Sequence, residues 1–274
     1  MSRTIDHTML RSKTTLLTFA GIFLLYGCTP GKTDLPVDGE NTLESADATS
    51  TGVGASGTVD VVSAPNLLGN PSFENGREPW VTLAAPDKPW WMDFVVTDQK
   101  AHMGKHSALF RMHTRGEIPR GVRIWGVVRD VIPKTFPKRL GGWYRVENWS
   151  RGTKTQYLQV VIMAKMSPGE SLIPRMPLVQ VAYVLTGVDQ RPVTVGNRRF
   201  IFAGPKEPKQ DEWMRFDFDL HADFRREWGG VPHKFEWVRV LYEARFDRYE
   251  PTGMPALSGS VYFDDLYLGD GTPP

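Results

Sequence analysis

Trp213-Met214-Arg215-Phe216-Asp217-Phe218-Asp219-Leu220 alternates after Met214, with Phe216, Phe218 and Leu220 on one side and polar residues between them. A period of two is the signature of a strand with one buried and one wet face; a helix would repeat its apolar positions every three or four residues. Tyr157-Leu158-Gln159-Val160-Val161-Ile162-Met163 is apolar on both faces and reads as a central strand. Outward from these two, runs rich in β-branched and aromatic residues recur at Trp91–Val96, Ser107–His113, Val122–Val128, Leu140–Val146, Thr155–Ala164, Leu178–Leu185, Phe200–Phe202, Phe235–Ala244 and Ser260–Leu268. Gly or Pro interrupts nearly every helix-period candidate. The exception is Ala222–Trp228, where Phe224, Arg225, Arg226 and Trp228 fit one or two helical turns ended by Gly229-Gly230. Short strands with turn punctuation predict an all-β, two-sheet sandwich.

All nine tryptophans lie beyond Pro65. No repeat at solenoid periods and no second linker divides the rest, so residues 65–274 read as one domain. The preceding stretch, residues 28–64, is of another kind. It is rich in Ser, Thr, Gly, Ala and Asp, has no aromatic residue beyond Cys28, and holds one base (Lys32) against Asp34, Asp38, Glu40, Glu44, Asp47 and Asp60. Such a segment cannot bury enough apolar surface to offset its ordering entropy and reads as a disordered acidic tether, spanning roughly 30 Å as a flexible chain. The domain beyond it is basic, with 29 basic against 24 acidic residues.

Residues 1–27 have the order of a secretory signal: Arg3, Arg11 and Lys13, then an uncharged apolar stretch from Thr14, then a small residue, Gly27, before Cys28. That stretch is too short to span a bilayer, which needs about 20 residues. Leu25-Tyr26-Gly27-Cys28 resembles the lipobox of bacterial lipoproteins, which implies that Cys28, the chain's single cysteine, becomes the lipidated first residue of the mature protein. Two or more acyl chains suffice for stable anchoring. The expected place is the bacterial cell envelope, at its periplasmic or surface face; Thr29 after the lipidated residue favours the outer membrane. No cysteine remains for a disulfide.

Asn66-Leu67-Leu68-Gly69-Asn70-Pro71-Ser72-Phe73-Glu74-Asn75-Gly76, followed by Pro79-Trp80, resembles the opening of CenC-type carbohydrate-binding modules, jelly rolls of the galactose-binding-like superfamily. Gly104-Lys105-His106-Ser107-Ala108-Leu109, Gly141–Val146 and Val261–Leu268 are similar to that family's turn, middle strand and closing strand, in the same order. The stretch from Met166 to Glu212 is longer than the family's connection. The resemblance implies a structural calcium ion joining the first and last strands, held by Glu74, by Asp264 or Asp265, and by the carbonyl of Lys105; hard oxygen ligands suit that ion. The alternative is that one aspartate faces solvent and the other takes an Arg or backbone amides.

The resemblance also implies sugar binding by aromatic faces, for which Trp90, Trp91, Trp125, Trp149, Tyr157 and Trp228 are the candidates. Trp90-Trp91 follows Pro89 in a loop-like setting, and Trp149 lies in an evident turn. Any one of them can equally be core; Trp143, Trp213 and Trp237, in strand patterns, are the expected core tryptophans. Arg111, Arg115, Arg120, Arg123 and Arg129 form a basic group of which several members could share one face. His102, His106 and His113 lack the partners of a tetrahedral metal set. No Gly-x-Ser-x-Gly elbow occurs and no thiol remains free, so no catalytic set is evident. The expected function is membrane-anchored, non-catalytic glycan binding, without nucleic acid. An envelope protein-interaction or assembly module on the same sandwich is the alternative, and a polysaccharide-active enzyme the third.

Overall fold

A computed structural model describes residues 65–83, 90–114, 121–249 and 255–274. The signal segment, Cys28, the tether, Arg115 and Arg120 lie outside the described residues. In chain order the elements are β1 (Trp91–Met92), β2 (Val95–Thr97), β3 (Ser107–His113), β4 (Gly121–Val131), β5 (Arg139–Ser150), β6 (Gln156–Met166), β7 (Leu178–Thr186), β8 (Val193–Val195), β9 (Arg198–Phe202), β10 (Trp213–Asp219), α1 (Leu220–Trp228), β11 (Phe235–Tyr249) and β12 (Ser258–Gly269).

The strands form two sheets, of order β1-β4-β11-β6-β7-β9-β8 and β10-β5-β12-β3-β2. From β3 to β6 the chain alternates between them and then folds back. Thus β3 pairs with β12, β4 with β11, β5 with β10 and β6 with β7, all antiparallel. This nested pairing is the jelly-roll winding of a two-sheet sandwich, the all-β architecture expected.

Alternation decides what lies between the sheets. In β10, Phe216 is buried and Phe218 stacks on Tyr183 of the facing sheet at 3.9 Å, so the pattern of this strand does set its inner face. The core continues through Phe110, Val146, Leu158, Val160, Ile162, Val240, Tyr242, Phe246 and Phe263. Each such side chain contributes about 1.5–3 kcal/mol on burial. α1 adds Leu220, Phe224 and Trp228 to the same core. It starts where Asp219 accepts the Ala222 N–H at 2.9 Å and stops at Gly229, whose φ of 76° suits the left-handed cap.

The opening motif joins the closing strand. Asn66 Nδ2 donates to the Leu266 carbonyl at 2.7 Å while its Oδ1 accepts the Leu68 and Leu268 N–H groups. Phe73 and Trp80 are fully buried and meet at 5.5 Å.

The run expected as a single strand at Trp91–Val96 divides at Asp93-Phe94. Its first half joins β4 of the larger sheet and its second half joins β3 of the smaller one. The long segment 166–212 holds β7, the unanticipated β8, and β9, which together widen the larger sheet.

Candidate functional site

Residues paired across neighbouring strands point to the same face, so the register of the seven-stranded sheet gives the rows of its outer face. One row runs Val128, Leu241, Val161, Ala182, Phe200. Beside it run Gly126, Glu243, Gln159, Val184 and, one step further, Ile124, Arg245, Tyr157. Trp91, Ile124, Val128, Val161, Met163, Ala182 and Leu241 form an apolar cluster separate from the main core, with Trp90, Phe200 and Trp237 half-buried around it.

Charged and amide groups occupy the middle of this apolar face. Gln159 is 0% and Glu243 2% exposed, and Gln159 Nε2 donates to Glu243 Oε2. Arg245 Nη2 donates to Asp247 Oδ1 at 2.6 Å, its Nη1 lies 3.7 Å from Glu243 Oε2, and its guanidinium stands 5.5 Å from the Tyr157 ring centre. Tyr157 in turn donates to Asp247 Oδ2 at 3.0 Å, and burial, helped by the charges of Asp247 and Glu243 and opposed by that of Arg245, holds its phenol far above the usual range. Gln159 Oε1 and Arg245 Nε are buried without a partner. Buried charges are costly unless paired and hydrogen-bonded. The two unpartnered atoms are places where an ordered water or a ligand atom would complete the network.

Of the six aromatic candidates, the structure brings three to this face. Trp90 is half-buried; Trp91, over Gly126, and Tyr157, beneath Arg245, are buried on this side of the sheet, at 8% and 4% exposed. The other three are core residues, which corrects their reading as platforms: Trp125, Trp149 and Trp228 are 4%, 9% and 8% exposed and belong to the cluster between the sheets. Trp125 faces inward because it pairs with Ala244, one step out of phase with Ile124 and Arg245. Trp149, at the end of β5, packs over Gly259.

The expected core tryptophans invert in the same way. Trp143 and Trp213 stand half-buried on the outer face of the five-stranded sheet, and Trp237 on that of the larger sheet, where Arg239 lies 5.0 Å from its ring. The basic group is likewise dispersed: Arg111 is exposed on β3, while Arg123 and Arg129 alternate with the outward Ile124 and Val128 on β4. Glu243, Arg245, Gln159, Gln180 and Arg198 were not anticipated. The signal was available in Glu243-Ala244-Arg245-Phe246-Asp247, charges alternating with apolar residues inside a strand.

The acids implied as calcium ligands do a different job. Glu74 Oε1 accepts the main-chain N–H groups of Lys105 and His106, both at 2.8 Å, which holds its carboxyl below the usual range. Asp264 Oδ2 accepts the His102 N–H at 2.6 Å and its Oδ1 that of Asp265 at 2.8 Å. Burial pushes the Asp264 carboxyl up to about 7. His102 Nδ1 donates to Asp265 Oδ2 at 2.7 Å, and its ring stacks on Trp143 at 3.9 Å. Lys105 meets Glu74 through its N–H. No group of three or more His, Cys, Asp or Glu among the described residues is placed to hold a metal ion. A calcium shell needs six or more converging oxygens; here N–H donors take those oxygens. The arrangement does not fit the ion.

An open polar cleft of about 440 Å³ lies beside the start of α1, among Lys138, Arg139, Asp219, His221, Arg225 and Asp270. No Trp, Tyr or Phe lines it, and Arg139 is already paired with Asp217 at 2.5 Å. The aromatic-bordered sheet face is the better site.

No family model and no curated protein matches the chain. Solved structures of similar architecture include the carbohydrate-binding module TmCBM61 in complex with β-1,4-galactotriose, 13% identical over 75% of this chain and 99% of that one, with a TM-score of 0.39. A carbohydrate-binding module specific for non-crystalline cellulose, CBM28, is 11% identical over 77% and 99%, at 0.37. A putative glycoside hydrolase from Bacteroides thetaiotaomicron is 11% identical over 77% and 71%, at 0.36. At such distances no role passes from them to this chain.

Proposed function

We propose that this protein is a non-catalytic glycan-binding lipoprotein of the bacterial envelope, anchored through Cys28 and binding its ligand on the outer face of the seven-stranded sheet. The observation that carries the reading is the buried polar centre of that face, Gln159–Glu243 with Arg245 and Asp247, on the same face as the apolar cluster that includes Trp91 and carries Trp90, Phe200 and Trp237. A sugar offers the two surfaces this arrangement complements. Its C–H face packs on aromatic rings, and its hydroxyls exchange hydrogen bonds with amides, carboxylates and guanidinium groups.

A binding role also suits the proposed anchor at Cys28, since a tethered sandwich can capture ligand for the cell or for a separate protein. The test is binding of the mature chain, with Cys28→Ser to keep it soluble, to a glycan array. Signal lost on Glu243→Ala and Trp237→Ala but kept on Trp213→Ala supports the reading. Signal absent throughout, with a protein partner recovered from envelopes, rejects it. Loss of membrane fractionation in the full-length Cys28→Ser protein checks the anchor.

A further inference from the structure

We propose that the ligand of this face is an acidic glycan, one whose sugar carboxylate is received by Arg198. The inference rests on the glycan-binding reading above and names its charge class.

Arg198 is on β9, in the row of Gln180 and Met163, beside the polar centre. Its Nε and Nη2 both donate to a single acceptor, Gln180 Oε1, at 2.9 and 2.7 Å. The orientation of that amide is set by a relay. Gln180 Nε2 donates to Asn197 Oδ1 at 3.2 Å, and Asn197 Nδ2 donates to the Leu178 carbonyl at 3.0 Å. Each amide therefore has its oxygen and nitrogen assigned by its neighbour, and Gln180 must turn its oxygen to the arginine. The Phe200 ring, 5.8 Å from the guanidinium, packs against the same side chain.

Every partner in this relay is neutral. The other arginine of the site, Arg245, spends its charge on Asp247 and Glu243. Arg198 feels those two acids through space, but no ion pair among the described residues includes it. The relay thus fixes the guanidinium without neutralising it. The fork formed by Nε and Nη2 is occupied, which leaves the end-on fork of Nη1 and Nη2. A guanidinium presents this pair of parallel N–H groups to a carboxylate, which accepts both at once. A desolvated cation that is held but not paired is a cost to the folded protein, and an anionic ligand offsets it. A hydroxyl would leave the charge uncompensated. Scattered surface bases would attract polyanions without regard to shape; a single oriented fork selects a planar carboxylate.

The test is calorimetric titration of the mature Cys28→Ser chain with a panel of acidic polysaccharides (polygalacturonate, alginate, hyaluronate), each beside its carboxyl-reduced form, with a sulfated neutral glycan as a further arm. The expected result is at least about tenfold tighter binding of one acidic member than of its reduced form, a difference that Arg198→Met abolishes and Arg198→Lys restores only in part. Gln180→Ala, which frees the guanidinium from its relay, should weaken binding of the same acidic ligand. Circular dichroism of each variant checks folding, and Arg198→Lys, which retains the charge and much of the stem, guards against a merely misfolded Met variant. Equal binding of acidic and reduced forms, or binding indifferent to Arg198→Met, overturns the acidic class while leaving the sheet-face reading intact. Preference for the sulfated glycan overturns the carboxylate. No binding to any glycan overturns both.

Discussion

Trp91 stands where a side chain on Gly126 would stand. A Cβ built on Gly126 would lie 2.8 Å from the Trp91 ring, 3.1 Å from the Tyr242 carbonyl oxygen and 3.5 Å from Glu243 Cγ. The glycine is what lets the indole approach β4 this closely, beside the side chain of Glu243. Gly126→Ala is therefore expected to displace Trp91, costing about 1–3 kcal/mol and weakening ligand binding through a residue that need not touch the ligand. Urea unfolding and tryptophan emission of the variant, followed by titration, check this. An unshifted emission spectrum with wild-type affinity would contradict it.

Glu243 Oε2 accepts the Gln159 amide and lies 3.7 Å from the Arg245 guanidinium. Glu243→Ala leaves a buried amide donor without its acceptor, at about 1–3 kcal/mol. Glu243→Gln preserves the shape and the acceptor and should lose less stability, yet still lose binding through the uncompensated Arg245. Double-mutant cycles with Gln159→Ala measure the coupling, which is expected to be non-zero; additive effects would mean that the pair does not act as a unit.

The strand alternation was legible in residues such as Phe216 and Phe218 because it is local: a side chain two positions along returns to the same face. Which face of the whole sheet a tryptophan joins depends on register between strands distant in sequence. Trp125 and Trp149 turned inward, and Trp143 and Trp237 outward, for reasons no single strand records. The relay of Asn197, Gln180 and Arg198 is of the same kind, since β7 and β9 are direct parallel neighbours although β8 separates them in sequence. The opening motif was more legible, because Asn66, Phe73 and Trp80 make bonds and packing contacts tied to their own turn as well as to β12.

Asp264 gives the stability a pH dependence of definite sign. Burial, with a smaller contribution from the charge of Asp265, raises its carboxyl from 3.8 to about 7. Between these values the folded state keeps a proton that the unfolded chain has released. The contribution is therefore fully present below about pH 4 and is lost as pH rises through about 7. Asp264→Asn cannot ionise. The variant should gain on the wild type as pH rises, by a few °C in Tm for each ~1 kcal/mol recovered. Thermal melts of both proteins between about pH 5 and 8.5 check this; parallel curves would refute it.

The same carboxylates predict indifference to calcium. Glu74 and Asp264 accept N–H groups of His102, Lys105, His106 and Asp265, and Glu74 and Asp265 also face the rings of His106 and His102. Added calcium or a chelator should therefore leave the unfolding midpoint unchanged. Binding to the folded state alone would raise it by mass action, so a calcium-dependent rise would show that the loop re-forms as a metal shell.

Trp149 and Trp237 separate packing from recognition. Trp149 is buried against Gly259, where a Cβ would lie 3.1 Å from its ring, and its main-chain N–H donates to Gln210 Oε1 at 2.8 Å. Truncating it empties a core site, and Trp149→Ala should cost about 3–5 kcal/mol while the fraction that remains folded binds ligand as before. Trp237 is half-buried against the apolar cluster of the outer face, with Arg239 resting on it. Trp237→Ala should cost little stability and reduce affinity by roughly tenfold, the value of a stacking contact of about 1–1.5 kcal/mol. Unfolding curves and titrations of the two variants, taken together, decide which sheet face binds. If Trp149→Ala weakens binding at full folding while Trp237→Ala does not, the site is at the β5 end of the sandwich rather than on the outer face of the larger sheet.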